Sequence, residues 1–244
     1  MGCDIHICIE AWSERETFRT LFKGDRRLLL PRGWSCVNEW KDEEDESRYP
    51  LTWCHRNYNL FAILADVRNG IGFAGIDTGE GFIPISAPKG LPDDVTAEVK
   101  QWSDGWGVDG HSHSFLTLAE IFEFDWTRTT KCRGMVSGPQ YEQWSWWGKQ
   151  NGNAPSQWCG SVSGPNITIV EEDEMINRLA ALPSKRTDRE AHDQALGQLV
   201  DTYAKVSWET TYHRAAAGFW SELVPELLRY GAPEHVRIVF LFDN

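Results

Sequence analysis

The sequence predicts an α+β protein: a small, mostly antiparallel sheet that includes the N- and C-terminal strands, with several helices around it. Three observations carry that expectation. Ile5, Ile7 and Ile9 alternate with Asp4, His6, Cys8 and Glu10, and period two in β-branched residues is the mark of a strand with one face in a core. Residues 236–242, Val-Arg-Ile-Val-Phe-Leu-Phe, form a second apolar strand at the other end of the chain. Between them lie helical-period segments without regular strand–helix alternation, which argues against a doubly wound parallel sheet. The 244 residues read as one α+β domain, 1–244, with 127–166 as an irregular insertion or loop region. A chain of this length can bury a substantial core.

The elements follow in order. Residues 13–30 read as a hairpin partner of the first strand. The acidic run 42–46 repels itself and reads as a solvated loop, with no glycine-turned array for calcium. Residues 56–68 place Leu60, Phe61, Leu64 and Ala65 at helical spacing, with Asn57 as N-cap and Asn69-Gly70 as a stop. The glycine-rich stretch 70–90 reads as irregular chain. Residues 92–102 open on Pro92 with Asp93 and Asp94 following, which predicts a short helix. Thr117 and Glu120 have capping-box spacing and open another. The last third reads as helical. Met175, Leu179 and Leu182 fit one helix. A second is capped at Thr187 and carries Ala195, Leu196, Leu199, Val200 and Tyr203. A third runs from about Trp208 to Tyr230.

Charge and composition limit the partners. Lys and Arg number 24 against 36 Asp and Glu, a net charge of −12. That is the wrong sign for broad contact with duplex nucleic acid. No stretch approaches the roughly 18 apolar residues of a membrane span, and no basic-then-apolar leader opens the chain. The expectation is a cytoplasmic protein with no membrane partner. The six cysteines form no C-x-x-C pair and read mostly as free thiols. The outlying count is 13 Trp, a residue favoured where one edge packs and the other meets a ligand or partner.

The leading chemical constellation is Asp4-x-His6, two side chains on one face of a strand. His111-Ser112-His113 is the second, and in an extended segment both imidazoles would face one way. Together they suggest a mixed nitrogen–oxygen site for a divalent transition metal, Zn or Mn. Asp109 and Asp66 are candidate bases, with Glu10, Asp77 and Asp243 as further ligands or bases. Arg56 and Arg68 suit a phosphate or carboxylate, and Trp102 and Trp106 a stacked substrate. The alternatives are ordinary: solvent-facing Asp4 and His6, a capped helix near His111, and surface ion pairs for the arginines. Glu209 and His213 share a helical spacing but read better as core. His192 and His235 read as surface. Cys54 would need a histidine from elsewhere to act as a nucleophile. If the terminal strands are neighbours, Asp4, His6 and Asp243 approach one another.

The start Gly2-Cys-Asp-Ile-His6, the segment 56–69, Gly90-Leu-Pro-Asp-Asp94, the block Asp109-Gly-His-Ser-His-Ser114 and the ending Phe242-Asp-Asn244 resemble an uncharacterised family of small phage-encoded proteins. The resemblance covers most of the chain. It implies a phage protein acting in a bacterial host cytoplasm and carries no catalytic assignment.

Two function classes follow. The first is a metal-dependent hydrolase of a small, phosphorylated or nucleotide-like substrate. Asp4, His6, His111 and His113 would be its ligands, Asp109 or Asp66 its base, and Arg56, Arg68, Trp102 and Trp106 its substrate contacts. The second is a non-enzymatic phage protein that sequesters a host nucleotide signal, or binds a host protein, through the Trp144–Trp158 surface. A virion assembly role has no repeat or coiled-coil signal behind it.

Overall fold

The computed structural model describes residues 2–20, 27–37, 39–41, 48–50 and 53–243. The acidic run 42–46 lies outside them. In chain order the strands are β1 (Ile5–Ser13), β2 (Thr17–Thr20), β3 (Arg27–Leu30), β4 (Gly33–Cys36), β5 (Glu39–Lys41), β6 (Arg48–Pro50), β7 (Trp53–His55), β8 (His111–Thr117), β9 (Thr129–Ser137), β10 (Thr168–Val170), β11 (Thr202–Thr211) and β12 (Val236–Phe242). The helices are α1 (Tyr58–Ala65), α2 (Ala97–Gly105), α3 (Leu118–Glu123), α4 (Gly138–Trp147), α5 (Glu172–Ala180), α6 (Arg189–Gly197), α7 (Tyr212–Ala215) and α8 (Val224–Leu227). The class is the mixed α+β expected, with both terminal strands in one antiparallel sheet. Residue contacts group the chain into two compact units. One comprises 1–69, 82–127 and 213–244, the other 70–81 and 128–212.

The first unit is built on the sheet β4-β1-β12-β8, with β7 also paired to β1. Cys8 opposes Val239 and Glu10 opposes Arg237 across β1 and β12, while Val239 opposes Phe115 on β8. Directly opposed residues share a face. One face therefore carries Ile5, Ile7, Ile9, Phe240 and Phe242, all buried. Helix α1 covers it: Leu60–Ala65 are buried without exception, and Phe61 meets Phe242 edge-on, ring centroids 5.0 Å apart. Asn57 caps α1 as expected, its Oδ1 accepting from the Asn59 and Leu60 N–H groups. The helix stops before Asn69, at a left-handed Asp66.

The opposite face carries His6, Cys8, Glu10, Arg237 and Val239. Val99 of α2 closes over Cys8, Cys36 and Val239, with Trp102 and Phe115 against them. Glu10 and Arg237 are 0% and 4% exposed, yet every charged edge is met. Arg237 Nε donates to Glu10 Oε2 at 2.7 Å, Nη1 to Asp94 Oδ1 at 2.6 Å and Nη2 to the Asp94 carbonyl at 3.1 Å. The guanidinium stacks 3.9 Å from the Trp34 ring centroid, and Glu10 Oε1 accepts from the Thr96 N–H. These bonds tie the turn at Asp94 and the extended Thr96 to the sheet, and α2 begins at Ala97 with Thr96 as cap. The Pro92 start expected from sequence is displaced by five residues, to Ala97. The Thr117–Glu120 capping box forms as read. Residues 17–20 and 27–30 pair with each other and not with β1.

The second unit departs most from expectation. Residues 127–166 contain β9 and α4 and are not a continuous irregular loop. Residues 202–211, read as the end of one helix and the start of another, form β11. It pairs antiparallel with β9 and parallel with β10. Thr202, Ala204, Val206, Trp208 and Thr210 are buried along it while Lys205, Ser207 and Glu209 are exposed. Glu209 thus lies on a strand and His213 on α7, and no helical Glu209–His213 pair exists. His192, expected at the surface, is 6% exposed. Its Nδ1 donates to the Pro183 carbonyl at 2.8 Å and its Nε2 to Glu142 Oε1 at 2.7 Å. Both ring nitrogens face acceptors, which favours the imidazolium. The Pro183 carbonyl and the Glu142 carboxylate accordingly raise its pKa against the effect of burial. No described helix is long and apolar enough to cross a membrane.

Glu10→Leu removes the buried partner of Arg237 Nε, leaves Asp94 as its remaining carboxylate, and should cost about 3 kcal/mol in urea unfolding. The double substitution Glu10→Leu/Arg237→Leu should recover most of that loss. A cost below about 1 kcal/mol for the single change, the level of an exposed pair, would count against this role. A histidine with a raised native pKa stabilises below its unfolded pKa of about 6.5, and that stability is lost as pH rises through the native value. His192→Gln should therefore destabilise more at pH 6 than at pH 8.5. An equal loss at both would refute the charged imidazolium.

Candidate functional site

The registers β7–β1–β12 set two rows of side chains at the open end of the first unit's sheet. In one row His6 stands between Cys54 on β7 and Leu241 on β12. Beyond the strand ends, Arg56, Asp4 and Asp243 form the other. Asp4 accepts the Arg56 fork, Nε to Oδ1 and Nη2 to Oδ2, both at 2.8 Å. Its backbone N–H donates to Asp243 Oδ1 at 2.6 Å, and the Asp243 N–H returns to the Asp4 carbonyl at 3.1 Å. The second Asp243 oxygen lies 3.0 Å from His6 Nε2. The approach of Asp4, His6 and Asp243 expected for neighbouring terminal strands is present.

An ionised carboxylate only accepts. His6 therefore carries its proton on Nε2, and Nδ1 is left as an acceptor that makes no hydrogen bond with the described residues. Burial opposes ionisation of Asp243, but the Asp4 N–H, His6 and Arg56 outweigh it and hold the carboxyl below its usual pKa. The side chains of His6 and Asp243 are 11% and 22% exposed. Trp106, just beyond α2, lies over the imidazole with ring centroids 4.3 Å apart. The result is an oriented, largely buried imidazole with one basic nitrogen.

The proposed metal ligands do not converge. Both Asp4 oxygens are engaged by Arg56. Between Phe240 and Phe242 the pairing with β8 shifts register at Ser112, whose φ is +51°. That irregularity turns His111 onto Phe242, rings 6.0 Å apart, while His113 stands beside Gly110 and Trp106. The two imidazoles do not project together as a straight strand would require. Burial, then the neighbouring His111, lowers the His113 pKa against the pull of Asp104. Among the described residues no group of three His, Cys, Asp or Glu side chains is arranged to hold a metal ion.

The other candidates scatter. Asp66 ends α1 and accepts from Asn69 Nδ2 at 2.6 Å. Asp109 is exposed in the turn after α2. Neither bonds to His6, so neither is placed as its base or support. Arg68 stacks over Tyr58 at 5.2 Å. Trp102 packs into the Cys8 cluster instead of lining the site. Asp77 pairs with Arg133 at 2.7 Å in the second unit. Cys54 was the residue undervalued by sequence. Alternation through Trp53-Cys54-His55-Arg56 puts it on the face of Arg56, but only the register shows that His6 is its neighbour. No family model, no curated protein and no solved structure matches the chain.

Proposed function

We propose that the protein is a hydrolase in which His6 is the general base, Asp243 orients it, and a small ester or amide is the substrate. The observation that carries this reading is the Asp243–His6 bond, which leaves one basic imidazole nitrogen on a largely buried ring. An ionised carboxylate on the far nitrogen fixes the tautomer and stabilises the imidazolium formed during proton transfer. Trp106 shields the imidazole and offers a ring edge to a substrate.

Local charge selects the substrate class. The cluster holds one guanidinium against two carboxylates, and the guanidinium is already bound to one of them. A phosphate dianion would meet repulsion from Asp4 and Asp243, with only Arg56 Nη1 left to receive it. A neutral carbonyl substrate meets no such barrier. The phosphorylated substrate and the Zn or Mn ion expected from sequence therefore find less support than the hydrolytic class itself.

A second reading has its own observation. Trp146 and Trp147 on α4 are 65% and 76% exposed, the kind of aromatic surface that a host protein or nucleotide would cover. Action in a host cytoplasm rests on the phage resemblance alone.

Turnover of neutral nitrophenyl esters and of nitrophenyl phosphate separates these readings. The hydrolase reading predicts ester turnover reduced about 10²–10⁴-fold in His6→Gln, the usual worth of a general base. Asp243→Asn should also slow it, with binding little changed, and Trp146→Ala/Trp147→Ala should have no effect. Ester turnover indifferent to His6→Gln would sink the reading. Phosphate turnover in its place would sink the charge argument.

A further inference from the structure

We propose that Cys54 is the nucleophile served by His6 and Asp243, so that the centre is a thiol–imidazole–carboxylate group spread over three adjacent strands. The proposal rests on the acid–base reading above. Cys54 and His6 are direct partners in the antiparallel pairing of β7 with β1. Such partners share a face, with Cβ atoms about 4.5–5.5 Å apart. His6 is nine-tenths buried, at 9% exposure. Its Nε2 is taken by Asp243, and its Nδ1 is an unpaired acceptor among the described residues. Cys54 is exposed, whereas Cys3, Cys8, Cys36 and Cys132 are buried. It is the thiol that a substrate reaches on the face of the base. Thiol and imidazole are not hydrogen-bonded in this structure. Rotation of Cys54 between staggered χ1 wells is the motion that brings them together.

The surroundings define which kind of thiol this is. Burial, Asp4 and Asp243 push its pKa up, and Arg56 only partly offsets them. A resting thiolate is disfavoured, unlike the thiols activated by a neighbouring cation. The proton must leave during attack, as in hydroxyl nucleophiles assisted by a base. The Sγ–C bond forms at the substrate carbonyl as the thiol proton passes to His6 Nδ1. The carbon–oxygen or carbon–nitrogen bond to the leaving group then breaks, and His6 returns the proton to that group. Water attacks the thioester and gives a proton to His6. The C–S bond breaks, and the proton goes back to Sγ. A carboxylic acid and an alcohol or amine leave, with no change in oxidation state.

Iodoacetamide labelling at neutral pH, resolved by residue with mass spectrometry, tests the pairing without a known substrate. The variants are His6→Gln, Asp243→Asn and Cys54→Ala, with circular dichroism as the check on folding. Cys54 should label first, and its rate should fall about tenfold or more when the base is removed. Asp243→Asn should slow it less. A nitrophenyl ester quenched in acid should leave an acyl mass on Cys54. An unchanged Cys54 rate in a folded His6→Gln protein overturns the proposal. Ester turnover that needs His6 but survives Cys54→Ala also overturns it, assigns attack to water and leaves the hydrolase reading intact. His6-dependent labelling without turnover of any ester supports the thiol–imidazole pair and sinks the hydrolase reading.

Discussion

One buried guanidinium holds the two ends of this chain together. Arg237 sits near the start of the last strand, Glu10 near the end of the first, and their bond spans 227 residues of sequence. A charge taken out of water stays tolerable only when every donor is met. Arg237 meets that condition through Glu10, the Asp94 carboxylate and carbonyl, and the Trp34 ring. A slip of one residue would carry Arg237 to the opposite face, among isoleucines and phenylalanines. The buried pair therefore selects a register as well as contributing to stability.

The candidate site is a consequence of that register. With Glu10 opposite Arg237, His6 falls opposite Leu241 and Asp243 becomes its diagonal neighbour. Strand pairing places the carboxylate, and the Asp4 N–H fixes which way it points. On the other edge of β1 the same alternation brings Cys54 beside His6 and Arg56 beside Asp4. The polar groups gather at one end of the sheet because the interior of that face is already filled by Cys8, Val239 and α2. Chemistry and packing thus divide a single strand face between them. The acidic balance at the open end follows too: the carboxylates of Asp4 and Asp243 stand against one guanidinium, which Asp4 already binds.

Much of this was legible in local pattern. The isoleucine alternation, the apolar C-terminal strand, the Asn57 cap and the Thr117–Glu120 box each rest on a few adjacent residues, and each formed. The nearness of Asp4, His6 and Asp243 followed once the terminal strands were paired. What failed depended on distant partners. Residues 202–211 alternate, but Ala204, Lys205 and Ser207 suit a helix equally well, and Tyr203 continued an apolar helical stripe from Leu196. Pairing with β9 decided the matter. The irregularity at Ser112 separated two histidines that a straight strand would have aligned, and a single positive φ at a serine leaves no mark in sequence. His192 looked exposed because nothing nearby in sequence shows that Glu142 and the Pro183 carbonyl wait for it. Cys54 was weighed as a nucleophile, but its histidine could not be named for the same reason.

The central claim is that the paired chain ends orient His6 as a base through Asp243. The tautomer and hydrogen bonding of that imidazole, read by long-range nitrogen–proton correlation NMR on labelled protein, test it most directly. The account predicts a His6 proton on Nε2, shifted downfield by the carboxylate and protected from exchange. Asp243→Ala should remove both features. A His6 protonated at Nδ1, or one exchanging as freely as a surface histidine, would contradict it.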